Sequence, residues 1–283
     1  MTITKVLING EPSDGQVPVT DSSVLRGDGC FEVIRSYQGV PFRLEDHLDR
    51  LERSAGALDI ELPPFDDLAR WVTDTATSVG DGAVRVVVTR GSSVPGVEGE
   101  SLVIVFAHPW KQADGPARLL PVTAPWHAAG VDWDLAGAKV ISYAPNMAAS
   151  RSAHRRGFDD ALLITTDEII LEGPTFSVGW VVDEVIETPG LDLGILDSIT
   201  RRVVFELATD LGIPWIETRS SLSRLEDAEE VFAFSTIREV QPVTAVGGLE
   251  RPPGPVASRL HQAFRDLVRH ARNRSGSRDV GWA

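Results

Sequence analysis

Of the 27 basic side chains in this sequence only three are lysines, Lys5, Lys111 and Lys139. At a solvated surface arginine replaces lysine readily, but not where an amine must lose its proton and attack a carbonyl. Lys5 and Lys111 read as generic cations. Lys139 lies in Ala136-Gly137-Ala138-Lys139-Val140-Ile141, among small and apolar neighbours that would lower an amine's pKa by desolvation. Three further segments could serve the same chemistry. Glu172, in Leu171-Glu172-Gly173-Pro174, ends an apolar run at a turn, where a carboxylate could keep a pyridine-type nitrogen protonated; its plainer reading is a surface turn residue. The start of a helix at Asp197-Ser198-Ile199-Thr200-Arg201 offers free backbone N–H groups as a phosphate seat, or simply a cap. Phe234-Ser235-Thr236 places two hydroxyls just past an apolar strand, where ordinary strand-end hydrogen bonding also accounts for them. Arg50, off the leucine face of its helix, could pair with Asp46 at the surface or reach into a cleft.

Those residues need a scaffold, and the patterning predicts an α/β (α+β) chain of two domains. Residues 3 to 9 and 31 to 37 read as strands joined by a Gly-rich turn at Arg26-Gly27-Asp28-Gly29. Leu44, Leu48, Leu51, Ala55 and Leu58 recur at helical spacing, and a second helix is expected around 65 to 78. Two β-rich runs, 83 to 89 and 101 to 107, complete an α/β domain over residues 1–110. The polar stretch 111–116, with Gly and Pro, reads as a linker to a second domain over 117–272. In that domain strands are expected at 117 to 123, 160 to 165, 168 to 171, 176 to 182, 214 to 218 and 230 to 236. Helices are expected at 146 to 156, from Ile199 to Leu211 with Asp197 or Ser198 as cap, and at 255 to 271. The polar tail 273–283 is expected to be mobile.

Composition narrows the function classes. Hydrophobic residues at 42% and charged residues at 24% are the balance of a globular protein, so a packed core is expected. A net charge of −14 repels phosphate backbones and anionic membrane surfaces, which argues against nucleic acid or membrane partners. The N-terminal residues lack the pattern of a signal peptide, so a cytoplasmic protein is expected. Cys30 is the sole cysteine and the six histidines are scattered singly, so neither disulfides nor a metal site is expected.

Taken in order, these segments resemble the class IV aminotransferases, the family of branched-chain and D-amino-acid aminotransferases and 4-amino-4-deoxychorismate lyase. The likeness runs from Leu7-Ile8-Asn9-Gly10 through Arg26-Gly27-Asp28-Gly29, Phe31-Glu32, Pro41-Phe42-Arg43-Leu44 and the His47 to Leu51 segment. It continues through Lys139, the Gly157 to Leu163 run, Glu172-Gly173-Pro174-Thr175, Ile199-Thr200-Arg201, Ser235-Thr236 and Val240-Gln241-Pro242-Val243. The resemblance implies a fold-type IV enzyme with a small N-terminal α/β domain and a larger, β-barrel-like cofactor domain. It implies pyridoxal 5′-phosphate (PLP) as cofactor, Lys139 as the Schiff-base lysine and Glu172 as partner of the pyridine nitrogen. Arg50, Ser198, Ile199, Thr200, Ser235 and Thr236 would surround the phosphate, and Tyr143 would lie near the cofactor or be a packed aromatic. A homodimer is implied as well.

The sequence departs from the family pattern in three places. Thr175-Phe176-Ser177 stands where relatives often read Thr-Ser-Asn, and Ser198 where a glycine is usual; its hydroxyl would join the phosphate network or crowd it. The run Ser92-Ser93-Val94-Pro95-Gly96 lacks the Arg and His with which well-known D-amino-acid aminotransferases trap a substrate carboxylate. Arg26, Arg35, Arg85 and Arg90 remain for that task, with Phe31 as a further substrate contact. The reading is a ping-pong transaminase acting on an amino acid of D- or branched-chain type, or on a primary amine, with a 2-oxo acid as acceptor. The alternative within the family is the lyase, releasing pyruvate and 4-aminobenzoate; outside it, a non-catalytic binding protein.

Overall fold

A computed structural model describes residues 3–92, 94–110 and 115–275. They form two compact units. One contains residues 3–110, 138–143 and the last helix from 268; the other contains 115–137 and 144–267. This differs from a single switch of domain at the linker, because the stretch 138–143 pairs with a strand of the first unit. Four residues of the expected linker, 111–114, lie outside the described residues.

The first unit is built on one antiparallel sheet. In chain order it contains β1 (Lys5–Ile8), β2 (Glu11–Pro12), α1 (Ser22–Arg26), β3 (Gly29–Tyr37), β4 (Val40–Pro41), α2 (Leu44–Gly56), α3 (Phe65–Val79), β5 (Gly82–Thr89) and β6 (Val103–Pro109). The strand order is β2-β1-β6-β5-β3-β4. The helices α2 and α3 bury Leu48, Leu51, Leu68 and Val72 against Cys30, Ile34, Val84, Val86 and Val105, the alternate residues of β3, β5 and β6. The Gly-rich turn before β3 follows a short helix, α1, that the patterning did not separate. Asp21 caps α1 by accepting from Ser23 N at 2.7 Å, and Gly27 ends it at φ 71°, a left-handed conformation in which glycine is unstrained.

The second unit contains β7 (Ala117–Thr123), α4 (Ala144–Arg155), β8 (Asp160–Ile164), β9 (Ser177–Val182), β10 (Val185–Pro189), α5 (Ile199–Asp210), β11 (Trp215–Thr218), β12 (Glu230–Ser235), β13 (Glu239–Val246), β14 (Leu249–Glu250) and the part of α6 (Pro255–Ser275) before Val268. Its sheet runs β11-β10-β9-β12-β13-β7-β8, with β14 as a hairpin partner of β13. The residues expected as a strand at 168 to 171 form isolated bridges instead, Ile170 to Ile164 of β8 and Ile169 to Ser221 beyond β11. That segment therefore joins the two ends of the sheet, and the barrel-like character expected from the family follows from it. β10 and β13 were not expected as strands. The last helix continues to Ser275, past the expected start of the tail; residues 276–283 lie outside the described residues. No helix among the described residues is long and apolar enough to cross a membrane.

The turn after Glu172 is held by Gly173 N donating to Phe176 O at 2.7 Å. A Cβ on Gly173 would overlap the ring of Phe176, which is buried beneath the Arg238 guanidinium at 4.4 Å from its centroid. This is the packing consequence of a phenylalanine at 176. Gly173→Ala is expected to destabilise the protein by about 1–3 kcal/mol in urea unfolding. In a Phe176→Ala background the added cost of that substitution should vanish, a coupling that a double-mutant cycle measures.

Candidate active site

Lys139 lies on a short extended stretch laid antiparallel to the start of β3, with Val140 opposite Cys30. Phe31 N donates to Lys139 O at 3.0 Å and Ile141 N to Gly29 O at 2.9 Å, while Lys139 N donates to Ser54 Oγ of α2 at 3.0 Å. The side chain is half-buried, with Nζ 4.4 Å from the centroid of the Phe31 ring and 5.6 Å from that of Tyr143. The two rings meet edge to face at 5.2 Å. Tyr143 thus flanks the amine together with Phe31. The Ser142 hydroxyl, donating to Gly27 O at 2.6 Å, fastens the far end of the stretch.

Beneath this stretch lies a charged cluster inside the core. Glu32 follows Phe31 on β3, so the strand's alternation turns its side chain to the helix-covered face, where it has no exposed surface. Its carboxylate takes Arg50 Nε at 2.7 Å and Nη2 at 2.8 Å in a bidentate pair, and His47 Nδ1 at 2.8 Å. Burial alone would raise the Glu32 pKa, but the Arg50 guanidinium and His47 beside it hold the carboxyl far below the usual carboxylate range. Burial pushes His47 below its ordinary value of 6.5 against the opposing pull of Glu32, so its ring is neutral and donates from Nδ1. Arg50 is thus buried and paired with Glu32 inside the core, and Asp46 lies 3.7 Å from Arg43.

In the second unit, Glu172 is half-buried, and its Oε1 and Oε2 lie 3.3 and 3.4 Å from Leu196 N, two residues ahead of the cap of α5. The structure thus brings the carboxylate and the helix start into one place. Ser198, not Asp197, is the cap: its Oγ accepts from Arg201 N at 3.4 Å, so the hydroxyl serves its own helix. Asp197 is paired with Arg202. Arg201 is buried and ties α5 to the sheet through Glu217 at 2.7 Å and Pro189 O at 3.3 Å. Ser235 Oγ accepts from Arg238 N at 3.2 Å, and Thr236 follows half-buried in the turn to β13.

The four candidate arginines differ in environment. Arg35 is buried, its Nη1 donating to Gly82 O at 2.8 Å and its guanidinium stacked 5.0 Å over the Tyr37 ring. Arg90 pairs with Asp28 at 2.5 Å and donates to Leu58 O while keeping about a third of its side chain exposed (35%). Arg26 is exposed at the end of α1. Arg85 is half-buried in β5, and burial lowers its pKa.

The chain matches the amino-transferase class IV family over residues 29–246. It is a class IV aminotransferase. A D-alanine aminotransferase of Listeria monocytogenes is 30% identical over 285 residues, covering 94% of this chain and 97% of its own. The branched-chain aminotransferase of the archaeon Thermoproteus uzoniensis, solved with norvaline, superimposes with a TM-score of 0.84 at 28% identity, over 94% of this chain and 95% of its own. A hypothetical aminotransferase from Mycobacterium tuberculosis in its PLP-bound form gives 0.84 at 26% identity, over 93% of this chain and 98% of its own. The expected family and two-sheet α/β architecture are therefore established, and transamination accounts for the family match without the lyase reaction.

As a class IV aminotransferase the enzyme depends on PLP, and its residues fit that group. Ile199 and Thr200 are buried, and among the described residues neither backbone N–H has an acceptor, as the first turn of a helix dictates. Two orphaned donors at a helix N-terminus suit a phosphate. Glu32, His47 and Ser54 were not singled out by the sequence reading. The signal for two of them was the spacing of His47, Arg50 and Ser54, which are i, i+3 and i+7 on one face of α2 and form a polar stripe turned to the core.

Because His47 titrates lower in the folded enzyme than in the unfolded chain, below about pH 6.5 the unfolded state binds the extra proton and stability falls with falling pH. Glu32, also lowered, adds a loss of the same sign below about pH 4.5. Denaturation followed between about pH 7 and about pH 5 should show a shallower decline for His47→Gln than for the parent enzyme. Glu32→Gln, which strands the Arg50 charge, should cost about 3–5 kcal/mol at neutral pH.

Proposed function

We propose that this enzyme transfers an amino group from a D-amino acid or a branched-chain amino acid to a 2-oxo acid, with Lys139 as the residue that bonds covalently to the cofactor. The observation that carries this reading is the Lys139 amine, set between the Phe31 and Tyr143 rings on a backbone hydrogen-bonded at both its N–H and its C=O. Bound PLP supplies an aldehyde for the amine and an electron sink for the substrate's Cα electrons. Glu172 holds the ring nitrogen protonated, and its position beside Leu196 supports that role. The Ile199 and Thr200 N–H groups hold the phosphate, with Ser198, Ser235, Thr236 and Arg50 around it. With PLP bound, Lys139 Nζ would take the proton from the substrate Cα and deliver it to C4′ of the cofactor, the transfer running in the opposite direction in the second half-reaction.

The donor classes are those named for the relatives, and primary amines are included because pocket side chains rather than the cofactor residues set the substrate. Phe31 packs against the donor's side chain. The donor carboxylate is met by an arginine of the first unit. Arg26, Arg85 and Arg90 are the candidates; Arg35 is already committed to Gly82 O and the Tyr37 ring. A cytoplasmic homodimer belongs to the same proposal, and exposed Val24 and Leu25 on α1, at 57% and 53%, are suited to a second copy.

Lys139→Ala is expected to lose the long-wavelength absorbance of the bound cofactor and all turnover; retention of both would refute the role. A panel of D- and L-amino acids with two 2-oxo acids identifies the donor. Among Arg26→Ala, Arg85→Ala and Arg90→Ala, the variant that lacks the carboxylate contact should raise KM for amino acids by about 10-fold or more while sparing amine donors without a carboxylate. Light scattering reads the assembly.

A further inference from the structure

The structure assigns Ser54 as a positioning residue for Lys139, fixing the main chain from which the reactive amine extends. Ser54 is 2% exposed on the inner face of α2. Its Oγ donates to Arg50 O, one helical turn back, at 2.9 Å, and accepts the Lys139 N–H at 3.0 Å. The first bond fixes the hydroxyl rotor, so that a lone pair rather than the proton faces the strand. The second makes Ser54 the side chain that holds the amide of Lys139, whereas the carbonyl of Lys139 is held by the β3 backbone through Phe31 N. One face of the Lys139 peptide is thus supported by the strand ladder and the other by a single hydroxyl.

The helix that carries the hydroxyl is itself anchored. Arg50 and His47, on the same stripe, grip Glu32 of β3, the residue next to Phe31. The supports of Lys139, namely Ser54 on one side and Phe31 on the other, are therefore held to each other by the Glu32 cluster. A lysine side chain has four rotatable carbons, and the placement of its Cα limits where Nζ travels. This matters most when the amine is not bonded to the cofactor, because then the backbone alone keeps it beside the substrate Cα. Loss of the Ser54 bond should therefore appear in turnover rather than in substrate affinity.

The inference rests on Lys139 being the reactive lysine, and its test separates the two claims. In hydrogen exchange on the protein with and without PLP, Ser54→Ala should exchange the Lys139 amide about 10-fold faster than the parent. In the loaded enzyme kcat should fall about 10-fold with KM changed less than about twofold, and Ser54→Thr, which keeps the hydroxyl, should restore both readings. Unchanged Lys139 exchange in Ser54→Ala overturns the assignment, as does an unchanged kcat well below the variant's Tm. If the added methyl of threonine is not accommodated, exchange in Ser54→Ala decides alone. Faster amide exchange in Ser54→Ala together with a Lys139→Ala protein that keeps its colour would leave the anchoring intact and refute the role of the lysine.

Discussion

A carboxylate with no exposed surface, gripped by a guanidinium and an imidazole, is the interaction on which the first unit's contribution to the site depends. Glu32 sits among apolar neighbours on the covered face of β3, where an ion on its own would cost several kcal/mol to desolvate. Three hydrogen bonds, two of them from one planar fork, offset that penalty and fix the spacing between strand and helix. An apolar residue at this position would pack more cheaply, but it would not set the rotation of α2. The charged pair does, because the fork has to meet both carboxylate oxygens at once. The stripe of His47, Arg50 and Ser54 is thereby turned to the strand, and Ser54 comes to lie against the lysine backbone.

The residues proposed for the cofactor in the second unit are held by weaker individual contacts. Glu172 follows the segment that bridges the ends of the sheet, and it sits beside the entry to α5. Ser198 satisfies one donor of the first helical turn and leaves the Ile199 and Thr200 N–H groups without an acceptor among the described residues. The hydroxyl that departs from the family's usual glycine therefore acts on the helix itself.

Local patterning located most elements because helices α2, α3 and α5 carry apolar residues at helical spacing and most strands are uninterrupted apolar runs. It failed where the decisive partner is remote in sequence. β13 carries Pro242 in its middle, which locally argues against a strand, yet β12 and β7 on either side supply its pairing. The bridge of 138–143 to β3 is equally unreadable, since more than a hundred residues separate Phe31 from Lys139. The same holds for chemistry. Lysine scarcity pointed to Lys139 and chain order to the family, both properties of the linear sequence. The partner of Arg50 was hidden in the same way, because the i+4 rule sees Asp46 and not a carboxylate across the core. Ser54 showed only as part of the polar spacing with His47 and Arg50, and that spacing says nothing about the strand it will meet.

The return of residues 138–143 to the first unit has a consequence for how the enzyme is made. The Lys139 stretch cannot be seated when it emerges from the ribosome unless β3 and α2 are already assembled, and the contact that seats it closes a loop of more than a hundred residues. If Lys139 carries the cofactor as proposed, its acquisition is tied to this non-local step of folding. A chain in which that step has failed would carry the same lysine on an unsupported strand, and it would be recognisable as a colourless protein with its secondary structure largely intact.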